Sequence, residues 1–182
     1  MLEKFSSENI GVVNDAVAMA EELVSNFYKM SESQWLSRRY DIKTLTDLNP
    51  DEIVHGPFAQ VIRFKGQRNN RLLESSTYDF YKICIQDHAI IAALQESSGL
   101  ELFPFSLYII IHELIHIVRF SKFLQSFEAS PSEKMLEETR VHDKTCSILA
   151  GTPVPGINAV LKFYKKWSDA CVGSYKRFVH DS

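Results

Sequence analysis

Apolar residues recur at helical spacing from Ser7 to Met30. Ile10, Val13, Ala16, Val17, Ala20, Leu23, Val24 and Phe27 share one side, while Asn14, Asp15, Glu21 and Glu22 take the other, as in an amphipathic helix with one buried stripe. Ser31 or Ser33 can cap a short helix over Gln34 to Arg39. Asn49-Pro50-Asp51-Glu52 carries an N-cap residue and a first-turn proline, and the turn it opens ends near His55-Gly56-Pro57. From Phe58 to Lys65 the pattern changes to β-formers (Val61, Ile62, Phe64), followed by the polar turn cluster Gly66 to Asn70. Thr77 to Gln86 alternates in its later part, with Tyr81, Ile83 and Ile85 on one side and Lys82, Cys84 and Gln86 on the other. The two segments are expected to form a small antiparallel sheet. A single helix over Thr77 to Gln95 fits Phe80, Ile83, Cys84, Ala89, Ile90 and Leu94 almost as well.

Ala89 to Glu96 reads as helix and stops at Ser97-Ser98-Gly99. Pro104 then opens a long apolar helix that runs to about Lys122. Phe127 to Pro131 is a loop, and Ser132 caps a helix from Glu133 to Leu149. Gly151-Thr152-Pro153-Val154-Pro155-Gly156 breaks the chain before another helix, Ile157 to Trp167, and the tail from Cys171 to Ser182 is helical in part. The expectation is an α+β, predominantly helical fold, a single domain over residues 1–182 with no repeat and no dividing linker.

Composition narrows this only a little. At 182 residues the chain can bury a core without disulfides or structural metals. A net charge of -3 leaves no footprint for nucleic acid. Cys84, Cys146 and Cys171 are odd in number and show no C-x-x-C spacing, so reduced thiols in a cytoplasmic protein are expected. The opening Met1-Leu2-Glu3-Lys4 does not start a secretion signal. The apolar run Leu102 to Phe120 is long enough to span a membrane, but it carries His112, Glu113, His116 and Arg119 and has no companion span. A helix buried in a soluble protein, with no membrane span, is therefore expected.

That run holds the chemistry. His112-Glu113-x-x-His116 places two imidazoles one helical turn apart on one face, where both can reach a single cation. Glu113 is turned by about 100° from His112, so its carboxylate can stay off the metal and take a proton from a metal-activated water. Isoleucine, leucine or valine fills the surrounding positions, so the three polar groups lie in a helix that is apolar all round and therefore buried. A buried, unpaired carboxylate beside two imidazoles is costly, and a bound divalent cation such as Zn²⁺ relieves that cost.

Two histidines need a third ligand. With Met135, Cys146 and Leu149 as the inward seam of the next helix, Glu138 or Thr139 and then His142 fall on the same face, and Glu137, beside Val141 and Ile148, is the second choice. At these residues the chain resembles the gluzincin branch of the zincin metallopeptidases, over about forty residues from Ile109 to Leu149. The resemblance implies a zincin-like core around the metal helix, with Zn²⁺ held by His112, His116 and Glu138. It also implies Glu113 as the catalytic general base and a peptide or protein substrate. In many gluzincins an aspartate four residues after the third ligand hydrogen-bonds the first histidine. Here His142 stands in that place, which leaves its role open between supporting a ligand, being an alternative one, and neither. The extended metzincin pattern is absent, since Arg119 and Lys122 occupy the positions of its glycine and third histidine. Tyr108, Arg140 and His88 are candidate donors to the transition-state oxyanion.

Two rivals come from other classes. Glu113-x-x-His116 is also half of a di-iron carboxylate signature, but a second copy is missing because Thr139 stands three before His142. The other rival is a metal-binding or metal-free scaffold without turnover. The small size and the basic segment Lys162 to Trp167, readable as a solvated face, an interaction surface or a plug over the cleft, favour it.

Overall fold

The computed structural model describes residues 2–36, 39–67, 77–122, 124–126 and 128–165. The fold is α+β and predominantly helical, with one small sheet. Its elements are α1 (Ser7–Phe27), α2 (Glu32–Leu36), β1 (Tyr40–Lys43), two 3-10 turns (Leu45–Asp47 and Pro50–Glu52), β2 (Ala59–Gln67), β3 (Thr77–Ile85), α3 (Asp87–Glu96), α4 (Leu102–Ser121) and α5 (Pro131–Ala150). A last helix, α6, occupies 157–165. Residues 166–182, with the expected end of that helix and the helical tail, lie outside the described residues, as do 68–70 of the turn cluster.

Helix α4 is the hub, and α1, α5 and β2 pack against it. It is long and apolar enough to cross a membrane by length and composition, yet 78% of its apolar window is buried inside the protein. Burial on every side is what an all-round apolar helix requires. Pro104 falls within its first turn rather than opening it, where a missing N–H costs nothing. From α1 the buried positions are Val13, Ala16, Ala20 and Val24. Two alanines among four leave most of the bulk at that seam to the isoleucines and leucines of α4. Phe27, expected on the inner face, is instead exposed.

The first helix stops three residues short of the expected Met30. Lys29 adopts φ +50°, Met30 N–H bonds Ser25 C=O at 2.9 Å and Lys29 N–H bonds Asn26 C=O at 3.1 Å. This paired closure of the last carbonyls turns the chain out of the helix. Ser31, not Ser33, then caps α2, exchanging bonds with Gln34.

The strands are β1-β3-β2 in spatial order, and the sheet is mixed rather than antiparallel: β2 and β3 form the expected antiparallel hairpin, while β1 runs parallel to β3. β1 was not expected from the sequence. Its four residues, Tyr40-Asp41-Ile42-Lys43, do alternate apolar and polar, but the run is at the short limit for a period-2 signal, and all four are half-buried rather than divided between a core side and a solvent side. Thr77–Ile85 is strand and the helix begins only at Asp87, which settles the ambiguity of that stretch. In the hairpin Gly66 lies opposite Tyr78, and a Cβ there would sit 2.6 Å from the Tyr78 ring, so any other residue requires that ring to move aside.

Two polar clusters tie the connections down. Buried Asp87 accepts the Phe5 and Leu45 N–H groups, each at 3.0 Å. Buried Glu52 pairs with Lys82 at 2.6 Å, and Gln86 Nε2 donates to Glu52 C=O at 3.0 Å. The cap of α5 is Ser130 rather than Ser132: its hydroxyl accepts from Glu133 N–H, the Glu133 carboxylate accepts from Ser130 N–H, and Pro131 takes the first position.

Candidate metal centre

Helices α4 and α5 run antiparallel, and their facing side chains meet in rungs. Tyr108 meets His142, His112 and His116 meet Glu138, and Arg119 meets Glu137. The middle rung is the candidate centre. His112 Nε2 and His116 Nε2 are 3.2 Å apart; Glu138 Oε2 lies 3.1 Å from His112 Nε2, and Glu138 Oε1 lies 3.2 Å from His116 Nε2. Ligand atoms at about 2.0–2.1 Å from a tetrahedral zinc are about 3.3 Å from one another. The two short Glu138 contacts are made by different oxygens, so the triangle of nitrogen, nitrogen and a single carboxylate oxygen has two edges of that size and a third of at most 4.8 Å. Among the described residues this is the group of His, Cys, Asp and Glu able to hold a metal ion.

The His116 ring is oriented for ligation. Its Nδ1 lies 3.0 Å from Gln125 Oε1, a pure acceptor, so Nδ1 carries the proton and the Nε2 lone pair is left for a cation. Gln125 reaches this position because the chain turns back at the end of α4, where Leu124 N–H bonds Arg119 C=O at 2.9 Å. His112 lacks such support: its Nδ1 is buried without a hydrogen-bond partner among the described residues. His142 does not supply it. Its Nδ1 is bonded to the Tyr108 hydroxyl and its Nε2 lies 3.5 Å from Cys146 Sγ, so it touches the centre only through Tyr108, whose ring stacks on His112 at 6.2 Å.

Three lone-pair atoms this close need positive charge among them. Burial works against a charge on His116, but Glu138, Glu113 and Gln125 outweigh it and raise the pKa to about 9. Glu138 shows the reciprocal effect: desolvation opposes ionisation, and bonds from His112 and His116 override it and hold the carboxyl well below its usual range. In the metal-free chain a proton meets the need that a cation would meet. The centre is open on one side, since the Glu138 side chain is 58% exposed while those of His112 and His116 are 17% and 7% exposed.

Glu113 stands outside the triangle, half-buried on α4, with no hydrogen-bond partner among the described residues. Burial raises its pKa, against the pull of His112 and His116. Glu137 is excluded from the ligand set because it is buried against Arg119, with Arg140 Nη1 at 3.3 Å on its outer side. The seam expected from sequence holds at Leu149 and fails at Met135. The buried residues of α5 are Glu137, Val141, Thr145, Ile148 and Leu149, Cys146 is half-buried, Met135 is exposed, and Glu138 lies at the edge of the interface.

The oxyanion candidates are not gathered here. The Tyr108 hydroxyl is committed to His142, Arg140 to Glu137, and His88 lies on α3 with its ring against His55. Gln125 and Arg119 were missed as contributors. Nothing local marks Gln125, whereas a charged residue inside an apolar helix does mark Arg119. On α6, Lys162 and Lys165 are exposed while Tyr164 is buried, stacking on Tyr108 at 3.8 Å, so the described part of the basic segment has a solvated face and an inner one. A separate groove of about 350 Å³, lined by Leu149, Thr152, Val154 and Ile157 among others, carries no acid, base or metal ligand. No family model, curated protein or solved structure matches the chain.

Proposed function

We propose that this chain is a zinc-dependent metallohydrolase of a minimal, gluzincin-like kind, acting on peptide or protein substrates through a metal-activated water. The observation that carries the reading is the convergence of His112 Nε2 and His116 Nε2, 3.2 Å apart, on the Glu138 carboxylate, whose two oxygens lie 3.1 Å from the first and 3.2 Å from the second. Zinc bound there would supply Lewis acidity toward water and a substrate carbonyl. The chain's own residues do the rest. His112, His116 and Glu138 would hold the ion, and the exposed side is left for water and substrate. Glu113, one residue along the same helix and without a hydrogen-bond partner among the described residues, would take the proton of the attacking water on a carboxylate oxygen and deliver it to the departing amine.

Glu138→Ala is expected to lose most of the zinc and Glu137→Ala to keep it, as measured by metal analysis of purified protein. Glu113→Gln should keep the metal and lose turnover of a peptide library. Metal retained by Glu138→Ala, or none bound by the unaltered chain, refutes the reading.

The rival is a metal-binding protein without turnover, favoured by the commitment of Tyr108 and Arg140 to other partners, which leaves neither free to stabilise an oxyanion. Equal, background-level turnover by the unaltered chain and Glu113→Gln, both zinc-loaded, would select it.

A further inference from the structure

Glu138 has a problem that its histidine partners do not share. His112 and His116 are held by a packed helix, whereas the Glu138 side chain is 58% exposed and sits at the rim of α5, where burial does little to hold it. Its aim depends on how α5 is rotated about its own axis. Adjacent residues on a helix point about 100° apart, so whatever fixes Glu137 also fixes Glu138. Glu137 is fixed firmly. Its two carboxylate oxygens meet Arg119 Nε and an Arg119 terminal nitrogen, the second at 3.1 Å, in a two-pronged pair whose side chains are only 10% and 6% exposed. Arg119 lies three residues after His116 and therefore on the same side of α4.

We propose that Arg119 and Glu137 are positioning residues for the metal centre: their buried pair sets the rotation of α5 that presents Glu138 to His112 and His116. The inference rests on the metal reading above and adds a role for two residues that touch neither metal nor substrate. A planar guanidinium bonding a carboxylate in parallel restrains orientation as well as distance, which a single-point ammonium does not.

The test compares zinc affinity, by competition with a chromophoric chelator, in the unaltered chain, Glu138→Ala, the double variant Arg119→Met with Glu137→Met, and Arg119→Lys. The double variant leaves no charge buried alone, so its metal-free melting temperature should stay close to that of the unaltered chain. Its zinc affinity is expected to fall about 10- to 100-fold, the usual loss when a supporting partner of a metal ligand is removed. The cobalt-loaded form should show an altered visible spectrum. Arg119→Lys keeps the charge but not the fork, and should weaken zinc about 10-fold with an unchanged metal-free melt. If the double variant does not fold, Arg119→Lys decides alone. Zinc affinity equal to that of the unaltered chain in the folded variants overturns the clamp and leaves the metal reading intact, provided Glu138→Ala still loses zinc. An unaltered chain that binds no zinc overturns both.

Discussion

At the scale of single residues, the informative groups are polar side chains placed among apolar ones, most of them paired and a few, such as His112 Nδ1, buried without a partner among the described residues. Gln125 supports one ligand through His116 Nδ1 at 3.0 Å. Gln125→Leu should therefore weaken zinc about 10-fold with little change in the metal-free melt, as read by chelator competition. Glu52 provides a pH prediction away from the centre. The Lys82 ammonium, then the Asn49 backbone N–H, hold its carboxyl below the usual glutamate value of 4.5. The unfolded chain thus binds this proton more readily than the folded one. The stabilisation is complete above about pH 4.5 and is lost as the pH falls through the lower, folded-state value. Urea midpoints of the unaltered chain and Glu52→Gln should accordingly differ most near neutrality and converge in acid. Much of this scale was legible in sequence. His112, Glu113, His116 and Glu138 were all named there because a motif is a local fact. Gln125 was not, because a bond between positions nine apart depends on how the chain turns back after α4.

At the scale of elements, caps and periodicity explain most of what was read correctly, and closure geometry explains the misses. The α1 stripe and the β2–β3 hairpin follow from repeats of 3.6 and 2. The end of α1 did not follow, because it is set by Lys29 in a left-handed conformation, φ +50°, that a lysine side chain disfavours. Glycine tolerates that conformation, so Lys29→Gly should stabilise the fold by about 1 kcal/mol, seen as a raised urea midpoint with an unchanged slope. The seam of α5 shows a second limit. A helix with a broad mix of polar and apolar positions offers two adjacent faces, and the residue pattern preferred the line through Met135 and Cys146. Arg119 decided otherwise by drawing Glu137 inward. Glu138 was chosen for its place on a buried face, yet it reaches the histidines from the edge of that interface.

At the scale of the whole molecule, α4 is enclosed by α1, α5 and β2, and the open side of the candidate metal centre is where α5 carries Glu138 past it. If zinc bridges α4 and α5, binding is coupled to folding, since both helices must be in place for the three donors to meet. At free zinc about 100-fold above its dissociation constant, the gain is about 2.7 kcal/mol. For a domain of this size that should raise the melting temperature by about 5–10 °C, reversibly on chelation. A melt indifferent to zinc would separate the centre from the stability of the fold.

The amino-acid order alone determined a predominantly helical α+β chain and a buried apolar rod with two imidazoles and a carboxylate on it, and it left the downstream acid open between Glu138 and Glu137. All of these rest on interactions within a few residues along the chain, where composition and spacing are the physics. Only the tertiary structure decided that the sheet is mixed, that Glu137 belongs to Arg119, that His142 bonds Tyr108 rather than His112, and that Gln125 orients His116. Those outcomes depend on the rotation and register of elements packed against each other. Neighbouring positions on one helix differ by about 100° in direction and little in local preference, so the choice between them is made by the partner across the interface.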